Sequence, residues 1–124
     1  ARRTQKPVDK FSILSKTING IVIFLPKGYV NDLGAEGLER TCEEFLSKGM
    51  RKVIINFSEI QYINSIGASI FTGIVQKIAE HNGMLCFTNM KKVHNDVFAM
   101  LGITRHAKVF KEEKDAVNFL KESD

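Results

Sequence analysis

Apolar positions along this chain change period several times, and each change marks an expected element. Phe11 to Ile18 reads Phe-Ser-Ile-Leu-Ser-Lys-Thr-Ile, rich in β-formers with partial alternation, which predicts a strand. Asn19-Gly20 follows, a two-residue turn signal, and then the unbroken apolar run Ile21–Leu25. The two segments are expected to pair as an antiparallel hairpin whose second strand stops at Pro26-Lys27-Gly28. From Asn31-Asp32, which can cap a helix, Ala35, Leu38, Cys42, Phe45 and Leu46 recur at helical spacing. That predicts a helix to about Lys48, stopped by Gly49.

Val53–Phe57 reads as a third, buried strand followed by a short loop. Ile66, Ile70, Phe71, Ile74, Val75, Ile78 and Ala79 trace a second helical stripe that ends at Asn82-Gly83. Met84–Thr88 is the fourth strand. Val93, Val97, Phe98 and Leu101 mark a short helix stopped by Gly102. Val109-Phe110 reads as a minor strand, and Ala116, Val117, Phe119 and Leu120 as a last helix. A hairpin followed by helix–strand alternation predicts one α/β domain. Its mixed sheet has four to five strands, the later ones parallel, with about four helices. Residues 11–124 form that domain in this reading, and residues 1–10 a flexible basic arm.

Composition narrows the class. At 124 residues, 44% apolar and 26% charged, the chain has the balance of one soluble globular domain. No apolar run approaches the length of a membrane span, and the arginines near the start precede no signal-like apolar segment, so a cytoplasmic location is expected. Arg2, Arg3, Lys6 and Lys10 against Asp9 supply three of the four net positive charges. The basicity is therefore a property of the tail, with no aromatic-interleaved stripe, and direct nucleic-acid binding is not expected. Cys42 and Cys86 are far apart, and His81, His94 and His106 lack ligand spacing, so neither a metal nor another cofactor is expected.

The segment Asn56–Ala68 carries most of the chemistry. It leaves the third strand, turns, and enters a helix with Asn64-Ser65 at its mouth. Either residue can accept a hydrogen bond from a first-turn amide, and the helix dipole makes the same place suitable for an anion. A phosphate on Ser65 would be tolerated by its own helix but would turn a small neutral surface into a bulky charged one. Ser65 thus reads either as a cap or as a modification site. Gly67, unfavourable within a helix, reads as a position that leaves the first-turn amides open to close approach.

Asn56–Gly67, with Ile63-Asn64-Ser65-Ile66-Gly67 at its end, resembles the signature of the STAS domain of bacterial anti-sigma factor antagonists. There a strand ending in Asp/Asn-Phe/Leu-Ser precedes an Ile-Asp-Ser-Ser/Thr-Gly motif. Gly28-Tyr29-Val30-Asn31-Asp32, Gly83–Asn89 and Val97–Ile103 resemble three further stretches of that family in the same order. The resemblance implies a partner switch. The unmodified protein binds an anti-sigma factor that is also an ATPase-type serine kinase, phosphorylation releases it, and a serine phosphatase resets the cycle.

Carried over by position, Ser65 is the phospho-acceptor, and Gly28, Tyr29, Asn31, Asp32, Ser58, Asn64, Ile66 and Gly67 line the partner-binding face with it. Two residues depart from the pattern. Asn64 stands where Asp is commoner, which keeps the cap but removes a charge. Ile66 stands where a second hydroxyl residue is common, as an exposed anchor or as a core residue.

The same resemblance is compatible with a passive STAS scaffold, or with an accessory module of a signalling complex or transporter. Catalysis is not expected. The strand ends carry Pro26-Lys27 and Asn56-Phe57-Ser58, not the acidic pair and acceptor Asp of a receiver. No Walker-type or GxGxxG loop and no evident Ser–His–carboxylate set is present.

Overall fold

A computed structural model describes residues 11–123. In chain order the elements are β1 (Ser12–Ile18), β2 (Ile21–Val30), α1 (Asp32–Ser47), β3 (Lys52–Asn56), β4 (Ile60–Ile63), α2 (Ser65–Glu80), β5 (Met84–Thr88), α3 (Lys92–Met100), a 3-10 turn (Ile103–His106), β6 (Lys108–Phe110) and α4 (Glu113–Lys121). The sheet runs β1-β2-β3-β5-β6, and β4 pairs with the far end of β2. Among the described strands only β1 is antiparallel to its neighbour. The α/β class, the leading hairpin and the four helices match the sequence reading. The proposed arm at 1–10 lies outside the described residues.

The hairpin closes where Asn19 and Gly20 both take positive φ, 50° and 78°. That is the turn whose twist matches the two strands. Along β2 and β3, alternate residues then face opposite layers, as the pleat requires. Val22, Phe24, Val53 and Ile55 meet α1, α2 and α3 through Leu38, Phe71, Ile74 and Phe98 in the larger core. Ile21, Ile23 and Ile54 turn the other way and are covered by Ala116 and Leu120 of α4.

Three details depart from the sequence reading. First, β2 does not stop at Pro26-Lys27-Gly28 but continues to Val30. On its parallel side it pairs with β3 as far as Phe24 and with β4 from Gly28 onward. Pro26 falls in the gap between those partners, where a missing N–H costs no ladder bond. Gly28, at φ 102°, opens the bulge that hands the strand over.

Second, Ile60–Ile63, read as loop, forms the sixth strand, β4. Four residues with Ile60 buried and Gln61 and Tyr62 exposed carry too little alternation to announce a strand. Third, of the stripe expected to bury α3 only Phe98 is buried. His94 and Phe98 face the core, while Val93, Val97 and Leu101 remain exposed. Ala79 of the α2 stripe is exposed as well.

Candidate functional site

β2 and β4 end side by side, with Tyr29 paired to Tyr62 and Val30 to Ile63, and each leads within a residue or two into a helix. The N-termini of α1 and α2 are therefore neighbours at one corner of the sheet. Each is capped by an asparagine. Asn31 Oδ1 accepts from the Gly34 amide at 2.9 Å, and Asn64 Oδ1 accepts from the Gly67 amide at 2.7 Å. The Asn64 amide donates to Val30 O at 3.1 Å, and Asn64 Nδ2 donates to the Tyr29 hydroxyl at 3.2 Å. The Tyr29 and Tyr62 rings lie 5.1 Å apart. Asn64 thus ties the end of β2 to the end of β4 and the start of α2.

This arrangement removes the capping role from Ser65. Asn64 is the cap, and Ser65 is the first residue of α2, exposed, with its hydroxyl free of capping duty. Its amide and that of Ile66 have no partner within the helix, so the positive end of the dipole is presented beside the hydroxyl. No acidic residue lies in the first turn of α2. Ile66 is 58% exposed, which makes it surface and not core.

Gly67 has a different role from the one its helix position suggested. It is buried, its amide is taken by the cap, and a Cβ there would meet Val30 O at 2.5 Å and Asn31 O at 3.1 Å. Its small size lets α2 approach the β2–α1 junction, and its own amide is not open to a ligand.

Tyr29, Asn31, Asp32, Asn64, Ser65, Ile66 and Gly67 are all carried by the adjoining β2–α1 and β4–α2 junctions. Asp32, in the first turn of α1, is exposed. Gly28 is buried in the bulge and acts by shaping the strand. Ser58 lies elsewhere. Its amide donates to Asn56 Oδ1 at 2.8 Å, and it borders a cleft on the α4 side with Leu14, Lys16 and Glu113.

A groove of about 310 Å³ opens on the other flank of Ser65, between the β4–α2 corner and α3. Tyr62, Ile63, Ala68, Val93, Val97 and Phe98 supply its apolar walls. The sequence reading missed it. Its signal was the pair Val93 and Val97 at helical spacing, which one helix cannot assign to core or to surface. His94 lies in the same wall, buried, with its pKa lowered by burial and then by the Lys91 charge.

Cys42 and Cys86 are buried free thiols, pushed up to about 12 and about 11 chiefly by burial. Among the described residues no group of three or more His, Cys, Asp or Glu side chains is placed to hold a metal ion. No helix among them is long and apolar enough to cross a membrane.

Comparison with known proteins places this chain in a family. BtrV of Bordetella bronchiseptica, named as a candidate anti-sigma factor antagonist, is 28% identical over 85 residues, which span 68% of this chain and 73% of BtrV. The crystal structure of TM1081 of Thermotoga maritima, described in the same terms, superposes with a TM-score of 0.80 at 20% identity. The match covers 89% of this chain and 95% of that one. The unphosphorylated anti-sigma factor antagonist SpoIIAA, a Bacillus cell-fate determinant, gives 0.72 at 15% identity over 91% and 99% of the two chains. At such identities the two structures establish the shared fold. The family model described as the STAS domain matches residues 12–116, from β1 into α4, and this chain belongs to the STAS domain family.

Proposed function

We propose that this protein is an anti-sigma factor antagonist that works as a partner switch controlled at Ser65. The unmodified corner around Ser65 binds an anti-sigma factor that is also a serine kinase, and phosphorylation of Ser65 releases it. A serine phosphatase restores the binding form.

The observation that carries the reading is the division of labour between Asn64 and Ser65. Asn64 caps the helix, so the exposed Ser65 hydroxyl can be modified without unmaking the helix start. The dipole of α2 favours the added negative charge, so the helix tolerates the phosphate while the surface changes character. Exposed Ile66 beside it offers an apolar contact that a partner would cover. A phosphate of nearly two negative charges in that interface adds bulk and a desolvation cost.

The test starts with capture of an ATPase-type serine kinase by the unmodified protein, followed by incubation of the two with ATP and intact-mass and peptide mapping. One added phosphate on Ser65, with loss of the complex, is the expected result. Stable binding with no modification would instead make the chain a passive module.

A further inference from the structure

We propose that the groove beside Ser65 seats an apolar side chain of the partner protein, flanked in that partner by a carboxylate, and that Ser65 gates this seat. The regulatory half of the proposal rests on the switch reading above; the seat itself does not.

The groove follows from how α3 is written. His94 and Phe98, four residues apart, turn inward, and the aromatic rings of Phe57, Phe71 and Phe87 gather around Phe98. Val93 and Val97 occupy the adjacent row and are left 61% and 37% exposed. Opposite them stand Tyr62, 59% exposed, and Ile63, with Ala68 buried behind. β-branched residues are not the choice for a solvated helix face, since they lose rotamer freedom there and bury nothing. In a seat for another side chain they supply stiff walls.

The walls are also pinned. Lys91 Nζ donates to Ile60 O at 2.8 Å, tying the start of α3 to β4, and Asn64 fixes the opposite corner. A preformed seat spares the ordering cost that a floppy one would impose on binding.

Charge selects the occupant. The groove lining contains no carboxylate; it does contain Lys91, and Ser65 on its rim lies at the positive end of α2. An apolar side chain next to Asp or Glu matches such a seat, apolar within and positive at the rim. The seat also adjoins the exposed Ser65–Ile66 surface, so one partner segment can cover both. A phosphate on Ser65 would place its charge against the partner's carboxylate and compete with it for the positive rim. Release then needs no rearrangement of the fold.

The test uses the whole protein. A random 12-residue peptide library displayed on phage is panned on the wild type and counter-selected on Val97→Glu. Met100→Glu, on the same helix but outside the groove, serves as control, and both variants are checked by thermal melting. The expected peptides share Leu, Ile or Phe beside Asp or Glu and shift the backbone resonances of Ala68, Val93 and Val97. They bind Val97→Glu at least about tenfold more weakly and Met100→Glu as they bind the wild type. Peptides lacking that pair, or indifferent to Val97→Glu, overturn the proposal. Self-association of the protein that Val97→Glu abolishes also overturns it, by making a second copy the occupant.

The same peptides are then titrated into protein carrying genetically encoded phosphoserine at position 65. Weaker binding supports the gate. Binding that stays sensitive to Val97→Glu but ignores the phosphate leaves the seat and removes the switch. Release of the kinase-class partner by the phosphate, with no effect of Val97→Glu, removes the seat and leaves the switch.

Discussion

Gly67 lies directly beneath the end of β2, where a Cβ would stand 2.5 Å from the carbonyl oxygen of Val30. That contact sets the distance between the two helix N-termini on which the site is built. Gly67→Ala gains about 1 kcal/mol of helix propensity but must push backbone against backbone, which costs about 1–3 kcal/mol or more. A net loss of stability is expected in urea unfolding, together with weaker partner binding as the Ser65 corner shifts. A variant more stable than the wild type would show that the junction yields freely.

Asn64 is open to a graded test. Asn64→Ala removes the cap and should cost about 1 kcal/mol. Asn64→Asp keeps an acceptor for the Gly67 amide and adds a charge favourable to the dipole, but gives up the donor to the Tyr29 hydroxyl. Its stability should lie above that of Asn64→Ala. Equal losses in the two variants would assign the role of Asn64 to its Tyr29 bond and not to the cap.

Substitutions at Ser65 should separate stability from binding. Ser65→Ala on an exposed first helical position should stay within about 0.5 kcal/mol of the wild type and retain the partner without being released by the kinase. Ser65→Asp should be as stable or slightly more so, by about 0.3–1 kcal/mol, and yet bind more weakly. Calorimetric titration with the captured partner decides between them. Unchanged affinity in Ser65→Asp would put this residue outside the interface.

His94 gives the fold an acid-side weakness. Its folded pKa lies below the ordinary 6.5 because burial, and then Lys91, oppose the imidazolium. The unfolded chain therefore takes up a proton as pH falls through 6.5 while the folded chain resists, so stability is full above 6.5 and declines below it. His94→Gln should flatten that part of the stability–pH curve, as read by urea midpoints between about pH 7 and 5. An unaltered slope would show that another group is responsible.

The thiols should be inert while the protein is folded. Cys42 is pushed up to about 12 by burial and by Glu39 and Glu43, and Cys86 to about 11 mainly by burial. At pH 8 neither should react with a thiol reagent at a measurable rate until denaturant is added, because the thiolate is the reacting form. Rapid labelling of native protein would reveal local opening of α1 or β5.

Local patterns in the chain were enough to read its class, the Asn19-Gly20 hairpin and the four helices, because each depends on neighbours a few residues apart. The places of the two caps, Asn31-Asp32 and Asn64-Ser65, were legible for the same reason, and the structure assigned the cap to the asparagine of each pair. Asn31 and Asn64 bond to amides three residues on, and no distant contact is needed to recognise that spacing. The resemblance of Ile63–Gly67 to a family motif pointed to the corner as well.

Other features depended on residues distant in the chain. Pro26 sits inside β2 only because β3 lets go of that strand before β4 takes it up. Gly67 is required by the backbone of Val30 and Asn31, more than thirty residues earlier in the chain. Whether Ile66, Val93 or Val97 faced core or water was decided by which side of α2 and α3 packed against the sheet. A helical stripe states that a face is apolar; only the packing of the other elements determines whether that face is filled or left open for another molecule.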